Sequence, residues 1–191
     1  MANPTAAAQT NPAALGLVCF GLTTVLLSLI NAGVLPAGGE PVVIPLAIAF
    51  GGTAQILAGL MEFKLGNTFG TTAFIAYGAF WWWFALLLLF GHTGVIDLSK
   101  AGPTVPVALI LWGVFTLYMW IGTFRLSPLL FLVFLTLWAT FFLLGGGGLL
   151  ARPDISKIGG WVGLVCGSLA MYGSFAMVIN STAGKKVMPL V

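Results

Sequence analysis

The sequence predicts an all-α polytopic membrane protein, a bundle of six transmembrane helices. Of its 191 residues, 60% are hydrophobic and only 6% are charged, whereas a soluble domain has about 25% charged residues. Seven basic and four acidic side chains cannot cover a water-facing surface of this size, so the lipid bilayer is the expected partner. A net charge of +3 without a basic patch gives no support for nucleic acid as a partner, and none is expected.

Turn residues and charges divide the chain into six apolar runs. Each run is close to the about 20 residues with which a helix crosses a bilayer, and lipid requires that a spanning segment satisfy its own backbone groups. The runs are 12–35, 41–63, 68–90, 103–124, 128–150 and 158–180. They predict a transmembrane domain over residues 12–181, with a short mobile N-terminal tail (1–11) and a short C-terminal tail (182–191).

The first run organises the rest, because it is uncharged and long enough to span alone. Pro12 suits the first turn of a helix, and Asn11 before it is a good N-cap. The N-terminus lacks the Lys or Arg of a signal peptide, and the apolar run is too long for one, so a retained span is expected.

The second run carries Gln55 inside it and Glu62 near its end. Gln55 is the most costly neutral side chain to bury, so it must find partners or line water. Glu62 stands beside Lys64, and an interfacial ion pair is the preferred interpretation.

The remaining runs have local signals of packing. Three consecutive tryptophans, 81–83, point around most of a helix, so one should face protein and another lipid, with a subunit interface as one use. Gly163-x-x-x-Gly167 in the sixth run lets helices approach closely. Four consecutive glycines, 145–148, predict a helix end that can unwind.

Six spans place both termini on the same side of the membrane. The excess of basic residues on that side is one, which favours cytoplasmic termini under the positive-inside rule. The terminal side has Lys64, Arg125, Lys185 and Lys186, and the other side has Lys100, Arg152 and Lys157.

No Asp, Glu, Lys, Arg or His lies in the middle of any run, although proton pumps and many transporters place an ionisable group there. The runs contain neutral polar side chains instead, which can bond a small polar solute without trapping it. The candidate pore-lining and substrate-binding residues of this kind are Thr24, Asn31, Gln55 and Tyr172.

Enzyme and metal chemistry are not expected. Cys19 and Cys166 lie far apart inside apolar runs, and His92 is the only histidine, so no metal, cofactor or thiol redox centre is predicted. A G-x-S-x-G nucleophile elbow is absent, which argues against an intramembrane hydrolase.

Several motifs along nearly the whole chain resemble one known family. They are NPAALGL at 11–17, GGTAQILAGLMEFKLGNTFG at 51–70, TTAFIAYGAFW at 71–81, LWGVFTLYMWIGT at 111–123 and GGWVGLVCG at 159–167. Together they resemble the succinate–acetate permeases, also called acetate uptake transporters. The first motif commonly reads NPAPLGL in that family, and Ala14 replaces its second proline here. The residues that match it are Asn11, Pro12, Ala13, Leu15, Gly16 and Leu17.

The resemblance implies a homohexamer in the inner (plasma) membrane with cytoplasmic termini. It implies a separate pore in each six-helix subunit for acetate and other small monocarboxylates, with succinate as a further substrate. It also implies a hydrophobic constriction, which by matching motifs falls on Phe20, Tyr77 and Leu137, with Ala170 near the pore.

Three questions stay open at the level of sequence. The Tyr77 hydroxyl is expected to face the solute carboxyl, and helix N-termini at Asn11–Pro12, Thr68 or Pro103 are candidate substitutes for a cation. A channel and a proton-coupled carrier both fit, because acetic acid can itself carry the proton. A non-transporting membrane sensor and a pore for a neutral solute such as water or ammonia are the alternatives from other functional classes.

Overall fold

The computed structural model describes residues 10–189, and these form six helices that are long and apolar enough to cross a membrane. We label them α1 (Ala13–Asn31), α2 (Glu40–Lys64), α3 (Thr68–His92), α4 (Thr104–Gly122), α5 (Pro128–Leu149) and α6 (Pro153–Ala183). No strand occurs in the described part, which confirms the predicted six-helix bundle. Most of the predicted N-terminal tail (1–9) and the last two residues (190–191) lie outside the described residues.

Two helix ends differ from the predictions. Helix α6 begins at Pro153, five residues before the predicted start, because a proline suits the first turn. The four glycines at 145–148 do not unwind, and α5 continues to Leu149. Three of the four are closely packed, and a Cβ on Gly145 would meet the Pro106 carbonyl of α4 at 2.8 Å, whereas Gly146 has open space around it.

Glycines allow the closest helix contact, between α1 and α6. A Cβ on Gly21 would lie 2.7 Å from the Gly167 carbonyl oxygen, and a Cβ on Gly167 would lie 2.8 Å from that of Gly21. The two backbones therefore touch, as small residues permit in lipid, where the hydrophobic effect gives no force between helices.

Helix α2 contains a π-helical segment, Ala47–Ala54, where the sequence predicts a regular helix. The Thr53 hydroxyl donates to the carbonyl of Ile48, five residues earlier, at 2.8 Å. Gly51 and Gly52 let this wider turn pack against the tryptophans of α3. A π turn rotates the positions of all later side chains on the helix, and the first residue after it is Gln55.

Candidate functional site

A cavity of about 80 Å³ lies among α1, α2, α3, α5 and α6. One water needs about 10–15 Å³ on this kind of measure, so several water-sized groups fit. Its walls are mostly apolar, and the polar side chains among the described residues that line it are those of Gln55, Asn67 and Tyr77.

Three large side chains from three helices line this cavity at a similar depth. Helices α1, α3 and α5 run in the same direction. Phe20 lies about two turns into α1, and Tyr77 and Leu137 lie about two and a half turns into α3 and α5, so all three stand roughly 10–14 Å below the helix ends. All three are buried and line the cavity, and the Phe20 and Tyr77 ring centroids are 5.8 Å apart.

Phe134 is a fourth member of this layer that sequence reasoning missed. It lines the cavity, and its ring centroid lies 6.0 Å from that of Tyr77 in an edge-to-face arrangement. The signal available was its spacing, since it precedes Leu137 by about one helical turn and so shares its face.

Gln55 is fully buried and lines the same cavity. Neither its Oε1 nor its Nε2 has a hydrogen-bond partner among the described residues. Buried polar side-chain atoms in folded proteins nearly always have a partner. An amide left open in a cavity of this size is therefore available to a small polar molecule.

The hydroxyl of Tyr77 already has its proton engaged. Thr116 of α4 donates to the carbonyl of Trp112 at 2.7 Å, so its single proton is used there. The 2.9 Å contact between Tyr77 and Thr116 must then have Tyr77 as the donor. The Tyr77 hydroxyl therefore has no free proton to donate to a solute.

The other predicted pore residues do not line this cavity. Thr24 is buried in α1 and donates to the Phe20 carbonyl at 2.7 Å, and Ala170 is buried in the core. Asn31 lines a separate depression near the opposite end of the bundle, together with Arg152 and Lys157. Tyr172 lies on another surface depression, formed along α6 alone, and its hydroxyl donates to the Pro189 carbonyl at 2.7 Å.

The helices α1, α3 and α5 begin at one end of the cavity, and each N-terminus there is capped by a side chain. Asn11 Oδ1 accepts from the backbone N–H of Ala13 at 3.0 Å, and Asn67 Oδ1 accepts from that of Gly70 at 3.0 Å. Ser127 Oγ caps α5 in the same way at 3.1 Å. These caps use backbone protons that an anion would otherwise bind, and Pro103 lies at the opposite end of the bundle.

The family motif at 11–17 forms one wall of the cavity. Ala13 and Leu17 line it, whereas Leu15 points outward. A Cβ on Gly16 would overlap the ring of Phe74, which lies within 2.6 Å of that position. The glycine is therefore needed for α1 to pack against α3.

The predicted ion pair between Glu62 and Lys64 is wrong. The Glu62 side chain is 3% exposed, and its Oε2 accepts a hydrogen bond from Nδ2 of Asn67 at 2.7 Å. Residues two apart on a helix do not face each other, which keeps the exposed Lys64 away. A buried carboxylate thus lies beside Asn67, a residue that lines the cavity where α3 begins.

The comparisons with known proteins agree with this architecture. The sequence model of the GPR1/FUN34/yaaH family matches residues 1–190. The succinate-acetate/proton symporter SatP of Escherichia coli K12 is 43% identical over 180 residues, which cover 94% of each chain. Acetate permease A of Emericella nidulans is 36% identical over 194 residues, with 94% of this chain and 65% of that protein covered.

A solved structure described as the bacterial acetate channel SatP superimposes with a TM-score of 0.90. It is 42% identical in sequence, and the match covers 96% of this chain and all of that chain. The names of these three proteins are those of a symporter, a permease and a channel, not of enzymes.

Proposed function

This chain belongs to the GPR1/FUN34/yaaH family, and we propose that it is a transmembrane channel or transporter for acetate and related small carboxylic acids, succinate among them. The observation that carries the proposal is the cavity itself: an apolar space of about 80 Å³, lined by Phe20, Tyr77 and Leu137 and by the open amide of Gln55. The names of the relatives supply the substrate class.

The constriction explains how such a pore would select. Two aromatic rings and a leucine cannot replace the hydration shell of a small ion, so ions are excluded. A small acid presents a methyl group to Phe20 and Leu137 and a carboxyl group to the amide of Gln55.

Uptake of labelled acetate into liposomes of the purified protein tests this function. Phe20→Ala and Leu137→Ala should widen the gate and admit longer acids such as butyrate. Leu150→Ala is the matched control, because Leu150 is 67% exposed at the far end of α5 from the cavity. Unchanged selectivity in both gate variants would remove these residues from the gate.

The same assay separates the alternatives. Acetate uptake no greater than that of empty liposomes would leave the non-transporting sensor. Movement of ammonia or water that acetate does not inhibit would leave the pore for a neutral solute.

We further propose a homohexamer in the inner (plasma) membrane with cytoplasmic termini. Only 17% of the most apolar stretch of α4 is buried within one subunit, which leaves an apolar face for neighbouring subunits and lipid. The mass of the purified complex in detergent tests the number of subunits. Single cysteines introduced into the N-terminal tail of the protein, and labelled from outside in intact cells, test on which side of the membrane the termini lie.

A further inference from the structure

We propose that Gln55 recognises the undissociated carboxylic acid rather than its carboxylate, so that each transported molecule brings its own proton. The inference rests on the proposed function and names the chemical form of the substrate at that site.

The amide of Gln55 and a carboxylic acid are complementary. The acid O–H can donate to Oε1 while Nε2–H donates to the acid carbonyl, which forms two parallel hydrogen bonds and gives each atom of the buried amide a partner. A carboxylate has only acceptors. It could bind Nε2, but its other oxygen would then face the lone pairs of Oε1 and leave that atom unpaired.

The rest of the cavity offers an anion little compensation. Tyr77 donates its proton to Thr116 and so has no donor left for an anion. The first-turn N–H groups of Ala13, Gly70 and Leu130 are bonded to their own caps. The described residues that line the cavity include no Lys, Arg or His.

The charged side chains of the surrounding helices also disfavour an anion. Helices α1, α4 and α5 have no Asp, Glu, Lys, Arg or His. In α2, α3 and α6 these residues are Glu40, Glu62, Lys64, His92, Asp154 and Lys157. Of these, only Glu62 forms a hydrogen bond with a lining residue, which is Asn67 at the end of the cavity where α3 begins. Its carboxylate would repel an anion that enters there, but not a neutral acid.

Transport of the acid is electroneutral. The acid takes its proton from water on one side, enters as a neutral molecule, and releases the proton to water on the other side. No side chain of the pore needs to ionise, which agrees with spans that carry no Asp, Glu, Lys, Arg or His in their middle.

Membrane potential tests the charge of the transported species in the wild-type protein. We would measure initial rates of labelled acetate uptake at fixed pH, with empty liposomes subtracted and a potassium diffusion potential imposed. A potential of 100 mV changes the distribution of a monovalent anion by about 50-fold, but it leaves a neutral acid unaffected. We expect the rate to be independent of the potential, and a faster rate with a positive interior would overturn the inference.

Competitors with fixed charge give an independent test. Acetamide is always neutral and has a donor and an acceptor, whereas methanesulfonate is always an anion. We expect acetamide to inhibit acetate uptake and methanesulfonate not to inhibit it. Inhibition by methanesulfonate but not by acetamide would overturn the inference while the proposed function stands. Absence of any acetate uptake would refute the proposed function instead.

Variants of Gln55 assign the effect to this residue. In Gln55→Leu, acetamide should lose its inhibition, at least tenfold in inhibition constant. In Gln55→Glu, the carboxyl group can form the same pair only while it is protonated, so uptake should fall more steeply than in the wild type as pH rises. Elution of both variants like the wild type in gel filtration checks folding, and Leu150→Ala is the control. Unchanged inhibition by acetamide in Gln55→Leu would exclude Gln55 as the recognition residue.

Discussion

Replacing Thr116 with valine should free the Tyr77 hydroxyl to donate to a solute in the cavity. Both side chains are buried, and the change keeps the shape of residue 116 while it removes the oxygen that accepts from Tyr77. The phenolic proton of Tyr77 then has no partner, and Tyr77 lines a cavity that an anion could enter. We therefore expect Thr116→Val to bind anions that the wild-type protein rejects.

The size of the effect follows from the hydrogen bonds involved. Thr116→Val loses the bonds to Tyr77 and to the Trp112 carbonyl, each worth about 1 kcal/mol net, so the folded protein should lose roughly 2 kcal/mol. A hydrogen bond from Tyr77 to a charged group is worth about 1.5–3 kcal/mol. This corresponds to roughly ten- to a hundredfold stronger inhibition by methanesulfonate.

The assay is inhibition of labelled acetate uptake by methanesulfonate and by acetamide, with Tyr77→Phe as the matched variant. Tyr77→Phe keeps the ring in the constriction but has no hydroxyl, so it should not gain inhibition by methanesulfonate. The reasoning would be refuted if methanesulfonate inhibited Thr116→Val no better than the wild type. Equal gains in both variants would also refute it, because the gain could not then come from the phenolic proton.

Two further predictions concern stability, and both use chemical unfolding in detergent. Gly167→Ala places a Cβ against the backbone of α1 and should lower the free energy of unfolding by about 1–3 kcal/mol. Gly146→Ala has open space around the new Cβ, so it should be neutral or slightly stabilising. Equal effects of the two variants would contradict close packing at Gly167. Asn67→Ala should cost about 0.5–2 kcal/mol for the helix cap and about 1–3 kcal/mol more for the buried Glu62 it leaves without a donor. Asn11→Ala is the comparison, because it also removes a helix cap but Asn11 bonds no carboxylate. An equal loss of stability in the two variants would mean that Glu62 needs no donor from Asn67.

The helices could be predicted from the sequence, whereas Phe20, Tyr77 and Leu137 were indicated only by the family resemblance. Run length and composition gave the spans within a few residues, because lipid leaves few alternatives. Given three helices in the same direction, the positions of Phe20, Tyr77 and Leu137 along their runs already set them at a similar depth. What sequence could not supply is which way each faces, since that depends on how the helices pack.

Two local features had only weak signals in the sequence. The π-helical segment in α2 changes the face on which Gln55 lies. The pair Gly51-Gly52 does not predict this segment, because two glycines are equally typical of close helix packing. The hydrogen bond between Glu62 and Asn67 crosses a tight turn at Gly66, whose φ of 72° is left-handed. Charge pairing by sequence distance therefore selected the wrong partner for Glu62.

The direction of each hydroxyl proton decides what the polar residues of this bundle can bind. Thr24, Thr116 and Thr140 each donate to a carbonyl four residues earlier in their own helix, as buried hydroxyls in a helix can. Counting such residues as solute donors therefore overestimates the donors in the cavity. In Tyr77 the proton is fixed by a partner 39 positions away, which no local pattern reveals. Only after these protons are assigned does Gln55 stand out as the open donor and acceptor, and this pairing matches a neutral acid better than an anion.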